Sequence, residues 1–292
     1  MTLEAYLETW IETYIEPKRA ANTVRAYRYA LAHLSDQVRS CELAHVDALT
    51  LQREINRLAA RYSRQAQLLF VALRYALRRA YRLQLIERNP MDTVDPPTHT
   101  AREICVLDPA EAAAYMRQAA GTRCGPLLLL MLCLGLRRNE ARGLRFGDMD
   151  AAGILHIRFQ RTGDGLAPLK SRASRRDLPV PEPLRALFQG PDGEYLVNVS
   201  ENTLRRAHMA VLRAIGVDRR VTLHGLRHTC ATLGIASGAQ LITIQQLLGH
   251  AHYQLTADLY IHPEVATLTA ATARIYNFMG VFSGGGARLE IV

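Results

Sequence analysis

Residues 223–232 read LHGLRHTCAT and place His224, Arg227 and His228 at helical spacing, so the three side chains share one face. Two chemistries fit that arrangement. Histidines four residues apart can ligate zinc, whereas a histidine beside an arginine can move a proton next to an anionic oxygen. A zincin helix carries a glutamate between its histidines to act as base. Here Gly225, Leu226 and Arg227 intervene, and an arginine on that face repels a dication. The phosphate reading is therefore preferred, with no metal and no other cofactor.

Transfer at a phosphodiester needs cations around the non-bridging oxygens, a nucleophile, and a proton donor for the leaving oxygen. Arg227 and His224 supply one cation and one proton-handling group. A second arginine closes an apolar run in CLGLRRNEARGL, where Arg137 is the candidate and Arg138 its competitor. Glu140, three residues on, shares the Arg137 face and can hold its guanidinium in place. Taken singly, a charge after a core helix or a histidine in an apolar run is ordinary structure. Their combination is not.

Composition points to the partner. The chain of 292 residues carries 36 basic against 27 acidic residues, with a sequence pI of about 9.6, which favours a polyanion such as nucleic acid. All its basic residues are arginine except Lys18 and Lys170. Arginine suits bidentate phosphate contacts, while lysine can release a proton, which singles out Lys170. Five cysteines without a paired spacing imply reduced thiols and a cytoplasmic setting. The glutamate-rich start argues against a secretory signal, and GPLLLLMLCLGL falls short of the ~20 residues of a membrane span.

The elements that must position these groups form two sets. Four helices are expected in residues 1–90. The first carries Leu3, Leu7, Trp10, Ile11 and Tyr14, and the second is opened by Asn22 as N-cap. The third is opened by Asp47, and the fourth, arginine-rich, runs from 63 to about 86. Arg25 and Arg28 of the second helix, with Arg64, Arg74 and Arg78 of the fourth, are the candidates for tracking a DNA backbone. Residues 91–104, rich in proline, read as a linker. Residues 105–292 then read as a mostly helical domain: Asp108-Pro109 starts a helix, 126–136 forms a core helix, and ILHIRF, LAPLK and RRDLPV form short antiparallel strands.

In order along the chain these boxes resemble the tyrosine recombinase, or phage integrase, family, including its Xer-like members. GLRRNE (135–140) is similar to the first arginine box, with Asn139 where serine is usual. HGLRHTCAT is similar to the HxLRHTxAT box, LLGH (247–250) to the LGH box, and TADLYIH (256–262) to the TxxxYxH box. PLKSRASRRDLPVP resembles the β-hairpin whose lysine is Lys170, and NTVRAYRYAL with ERNP resembles the helical core-binding domain. The spacing from His250 to Tyr260 is one step longer than is usual in the family. Tyr253 lies closer to His250 but lacks the flanking threonine and histidine.

The resemblance implies a multidomain α and α+β chain, with an all-α core-binding domain before a mostly α catalytic domain that holds a small antiparallel sheet. It implies Tyr260 as nucleophile, Arg137 and Arg227 as phosphate clamp, Lys170 as general acid, His224 as proton handler and His250 as phosphate donor, with Glu140 behind Arg137. It further implies double-stranded DNA with specific sites, a homo-tetramer on that DNA, an accessory DNA-bending or directionality protein, and a bacterial, nucleoid-bound setting. A type IB topoisomerase-like or telomere-resolving enzyme would share the chemistry without partner exchange. A DNA-binding protein without catalysis would have no use for the full residue set. The chain begins directly at the core-binding helices, so a two-domain recombinase or a piece of a longer chain is expected. The segment after His262 is expected to pack on a neighbouring protomer.

Overall fold

Leu3, Tyr6, Leu7 and Trp10 are buried along one side of the first helix, α1 (Leu3–Trp10), capped by Thr2 accepting from the Ala5 amide. The helix runs on into a π-helical turn, Ile11–Ile15. In this computed structural model the described residues are 1–98, 104–163, 165–169, 174–249 and 265–279. The chain divides into two compact units, Met1–Arg102 and Glu103–Val292.

The N-terminal unit continues with α2 (Ala21–Leu31), α3 (Asp36–Ser40), α4 (Ala48–Ala59) and α5 (Ser63–Arg82). The buried stripe of α5 includes Ala66, Ala72, Ala76 and Ala80, small side chains that let α2 and α4 approach closely. Tyr6 donates to the Ala76 carbonyl at 2.7 Å within this core. Asp47 caps α4 as expected, accepting from the Thr50 amide at 2.9 Å. Two details differ from the sequence reading. The N-cap of α2 is Ala20, and Asn22 lies inside the first turn, where it accepts from Arg25. The start of the expected linker belongs to the helical core: Pro90–Asp92 forms a 3-10 turn, Met91 and Val94 are buried, and the Asp95 amide donates to Gln52. Two apolar side chains among the prolines are enough to fold that stretch back.

The C-terminal unit is organised around α7 (Gly125–Cys133). Leucines on every side leave this helix no polar face, and it is buried throughout 127–133. Against it pack α6 (Pro109–Ala120), α8 (Arg138–Gly143), α11 (Leu223–Ala236) and α13 (Val265–Phe278). Asp108 and Glu111 close α6 with a reciprocal capping box.

The ILHIRF segment divides at Arg158 into β1 (Ile154–Ile157) and β2 (Phe159–Thr162). Strand β1 pairs antiparallel with β4 (Arg176–Pro179), and β2 with β3 (Gly165–Pro168). After α9 (Glu182–Arg185), the helices α10 (Glu201–Ala214), α11 and α12 (Leu241–Leu248) complete the packing. Leu268, Ala271, Ile275 and Met279 of the α13 segment are buried in this same core. Within its own chain, α13 packs on α7, α11, α12 and β4. No helix of the described residues is long and apolar enough to cross a membrane.

Candidate active site

The site begins where α7 ends. Gly135 adopts φ +62°, a left-handed conformation that turns the chain out of the helix, and a Cβ there would lie 2.2 Å from Leu248 Cδ2. Glycine alone fits. Two residues on, Arg137 stands at the N-cap of α8, and Glu140 in the first turn accepts both its backbone amide (2.9 Å) and its Nη1 (2.7 Å). The arginine expected to trail a core helix thus opens the next one, with the dipole of α8 and Glu140 in mutual support.

Arg227 comes from the first half of α11, whose N-cap Thr222 accepts from the Gly225 amide at 3.0 Å. Its side chain is 2% exposed, and it donates to the Gly135 carbonyl at 2.6 Å and the Leu248 carbonyl at 2.5 Å. Arg137 Nη2 donates to the Gly249 carbonyl at 2.6 Å, and Arg176 Nε of β4 to the Leu247 carbonyl at 2.8 Å. Three guanidinium groups thus end on three successive carbonyls at the C-terminus of α12. Those carbonyls lack partners within the helix and form the negative end of its dipole, so each bond satisfies both sides. Gly249, at φ +64°, provides the left-handed cap that exposes them.

Electrostatically the cluster is unbalanced. Among the described residues, three arginines face one buried carboxylate, Glu140. Burial raises the Glu140 carboxyl, but Arg176 and then Arg137 outweigh it and hold the group below the usual carboxylate range. Burial, followed by Arg137 and Arg176, lowers Arg227 to about 9. A bound phosphodiester would offset that surplus of positive charge.

His224 lies in the first turn of α11, with His228 edge-on to it at 4.7 Å between ring centroids. Burial, then His228, Arg227 and Arg137, push the His224 imidazole below the ordinary histidine range. The ring is therefore neutral at physiological pH and able to accept a proton. His228, partly buried behind it, is lowered by burial and by Arg227.

The described residues bring together Arg137, Glu140, Arg227 and His224. Lys170, His250, Tyr253 and Tyr260 lie outside the described residues. Arg176 was not anticipated. The signal for it was the strand alternation in RRDLPV, which puts Arg176 on the inward side with Leu178. On the N-terminal unit, Arg64, Arg74 and Arg78 are exposed on α5, as is Arg25 on α2. Arg28 of α2 is also exposed, and it is ion-paired with Glu8 and Glu16.

Residues 106–266 match the phage integrase family. The chain belongs to that family. It is 29% identical over 274 residues to tyrosine recombinase XerC of Pelobacter propionicus, covering 88% of each chain. It is 30% identical over 205 residues to tyrosine recombinase XerD of Lacticaseibacillus casei, covering 64% of this chain and 69% of that one. In fold it resembles the Tn1549 transposon integrase in complex with transposon right end DNA, at 20% identity and a TM-score of 0.69, covering 94% of this chain and 100% of that one. It also resembles a lambda integrase tetramer bound to a Holliday junction, at 16% identity and a TM-score of 0.68, covering 86% of this chain and 77% of that one. The family member described here is accordingly a tyrosine-type site-specific recombinase, an enzyme of DNA recombination. These relatives favour recombination over the topoisomerase-like, telomere-resolving and purely DNA-binding readings.

Proposed function

We propose that this recombinase cleaves and rejoins double-stranded DNA at specific sites, with Tyr260 as nucleophile and Arg137 and Arg227 as the clamp on the scissile phosphate. The observation that supports this most strongly is the convergence of those two arginines on adjacent carbonyls of one helix end, with Glu140 behind Arg137. In this account the Tyr260 hydroxyl oxygen attacks phosphorus and the bond to the 5′ oxygen breaks, leaving a 3′-phosphotyrosyl linkage. The tyrosine proton passes to neutral His224. Lys170 gives a proton to the leaving 5′ oxygen, a role closed to arginine. The clamp offsets charge on the non-bridging oxygens, and His250 donates to one of them. Because the phosphotyrosine keeps the energy of the broken bond, the 5′-hydroxyl of a partner strand can reverse the attack with no external energy source.

Two such rounds exchange four strands through a Holliday junction, which calls for four protomers on two DNA sites. An accessory DNA-bending or directionality protein would select between integration and excision. The enzyme would work in the bacterial cytoplasm, on the nucleoid. On the N-terminal unit, Arg25, Arg64, Arg74 and Arg78 would track the phosphate backbone.

The test uses a nicked duplex carrying the site that the protein selects from a randomised duplex library. Release of the short 5′-hydroxyl fragment traps any covalent intermediate. Wild type and Tyr253→Phe are expected to form a DNA–protein adduct and Tyr260→Phe none. An adduct with Tyr260→Phe would refute the nucleophile assignment.

A further inference from the structure

Arg176 has no part in the chemistry just described, yet with Glu140 it is the most heavily hydrogen-bonded side chain among the described residues of the site. Its guanidinium is buried, and every nitrogen is used. Nε donates to the Leu247 carbonyl (2.8 Å), and Nη1 to Glu140 Oε1 (3.2 Å) and the Ser174 carbonyl (3.1 Å). Nη2 donates to Glu140 Oε2 (2.9 Å). A buried ion pair adds little net stability over apolar residues of the same volume, so stability is a weak reason for this arrangement. What the group does is hold three separate pieces of chain at fixed separations.

The first piece is Glu140, whose other hydrogen bonds set the backbone and Nη1 of Arg137. The second is the last turn of α12 at Leu247, whose next two carbonyls receive Arg227 and Arg137. The third is Ser174, which follows the segment containing Lys170. Through one planar group, Arg137 is thus referenced to the shared carboxylate, and both clamp arginines to the same helix end. Lysine could not substitute. A single ammonium cannot span a carboxylate edge and a carbonyl on opposite sides of a rigid fork.

We propose that Arg176 is a positioning residue for strand cleavage, setting the Arg137 and Arg227 guanidinium groups at the spacing of the non-bridging oxygens by fixing Glu140 and Leu247. This inference rests on the reading that Arg137 and Arg227 clamp the scissile phosphate. Arg176 itself is buried, and its three nitrogens are already engaged within the protein. A displacement of about 1 Å in such groups is enough to cost on the order of a hundredfold in rate.

The test compares two forms of the nicked duplex: the ordinary scissile phosphate, and a methylphosphonate with one non-bridging oxygen replaced by methyl. The neutral linkage has less charge to clamp, so it is less sensitive to where the guanidinium groups sit. Arg176→Lys is expected to slow single-turnover adduct formation about 10- to 100-fold on the phosphate. The loss should shrink to under about threefold on the methylphosphonate, with DNA affinity unchanged. Combined with Arg137→Lys, its effect should be much smaller than alone, as for residues acting through one another. Glu140→Gln breaks the same link from the other side and keeps its size, and it repeats the substrate comparison if Arg176→Lys melts below the assay temperature. Equal slowing on both substrates, an additive effect with Arg137→Lys, or no slowing would overturn the assignment. Failure of the wild type itself to form an adduct would instead sink the underlying strand-transfer reading.

Discussion

Arg227 shows how this site is wired at the scale of single residues. It is deeply buried among like charges, and the Gly135 and Leu248 carbonyls compensate it only in part. Its partner His224 feels the same field and is held neutral, which gives a pH prediction. If neutral His224 accepts the tyrosine proton, cleavage is active above its pKa and lost as pH falls through it. The pKa is lowered, so the acidic limb of the single-turnover profile should lie below the ordinary histidine value of about 6.5. In His224→Gln that limb should vanish and the plateau rate fall about 100-fold or more. A limb at the same pH in His224→Gln would assign it to another group. These two residues were legible in LHGLRHTCAT because helical spacing alone brings them together. Arg176 was legible only in part: the alternation of RRDLPV turns it inward with Leu178, but only tertiary packing supplies Glu140 and Leu247 as partners.

At the scale of elements, the site depends on two left-handed glycines that end α7 and α12 at the same place. Gly135→Ala would strain the backbone and drive a methyl into Leu248, so we expect a stability loss of about 2–4 kcal/mol in denaturant unfolding. Cleavage should fall further than stability explains, because the Gly135 carbonyl seats Arg227. A fully folded, fully active Gly135→Ala would show that this junction is not needed.

Helix α10 carries a pH-sensitive contribution to stability. His208 is buried, with Nδ1 2.7 Å from the Tyr115 hydroxyl and Nε2 donating to the Val221 carbonyl, and burial lowers its pKa. The unfolded chain binds a proton there below about pH 6.5, whereas the folded one resists. The stability from neutral His208 is therefore complete above that pH and is lost as pH falls toward the lowered native value. The slope reaches at most about 1.4 kcal/mol per pH unit. His208→Gln should flatten this part of the stability curve; an unchanged slope would point to other groups.

Helix positions were readable here because α5, α7 and α11 carry strong apolar patterns. The split at Arg158, the π-helical turn and the short α3 were not. Each depends on local hydrogen bonding that the hydrophobic pattern does not encode.

At the scale of the molecule, excess positive charge favours DNA, and on the proposed reading a face of the N-terminal unit tracks its backbone. Arg64, Arg74 and Arg78 are exposed on α5 with Tyr75 and Tyr81 among them, whereas the opposite side is apolar and buried. Replacing Arg74 or Arg78 by alanine should weaken binding similarly for all sequences and lower the salt slope of log K by about 1 each. Arg28→Ala should leave that slope nearly unchanged, because Glu8 and Glu16 already neutralise the charge. A large change for Arg28 would mean that its ion pairs open on DNA. The prolines and strand patterns suggested a boundary at 91–104, and the chain divides into Met1–Arg102 and Glu103–Val292. The inclusion of Met91 and Val94 in the first core was not legible, since two apolar residues among prolines carry no periodicity.

The atom that becomes attached to DNA decides the mechanism. The direct measurement is mass spectrometry of peptides from the trapped wild-type adduct, locating the nucleotide on a single side chain. A phosphotyrosyl linkage on Tyr260 is the predicted result. A nucleotide on Tyr253, on a serine or on a histidine would contradict it.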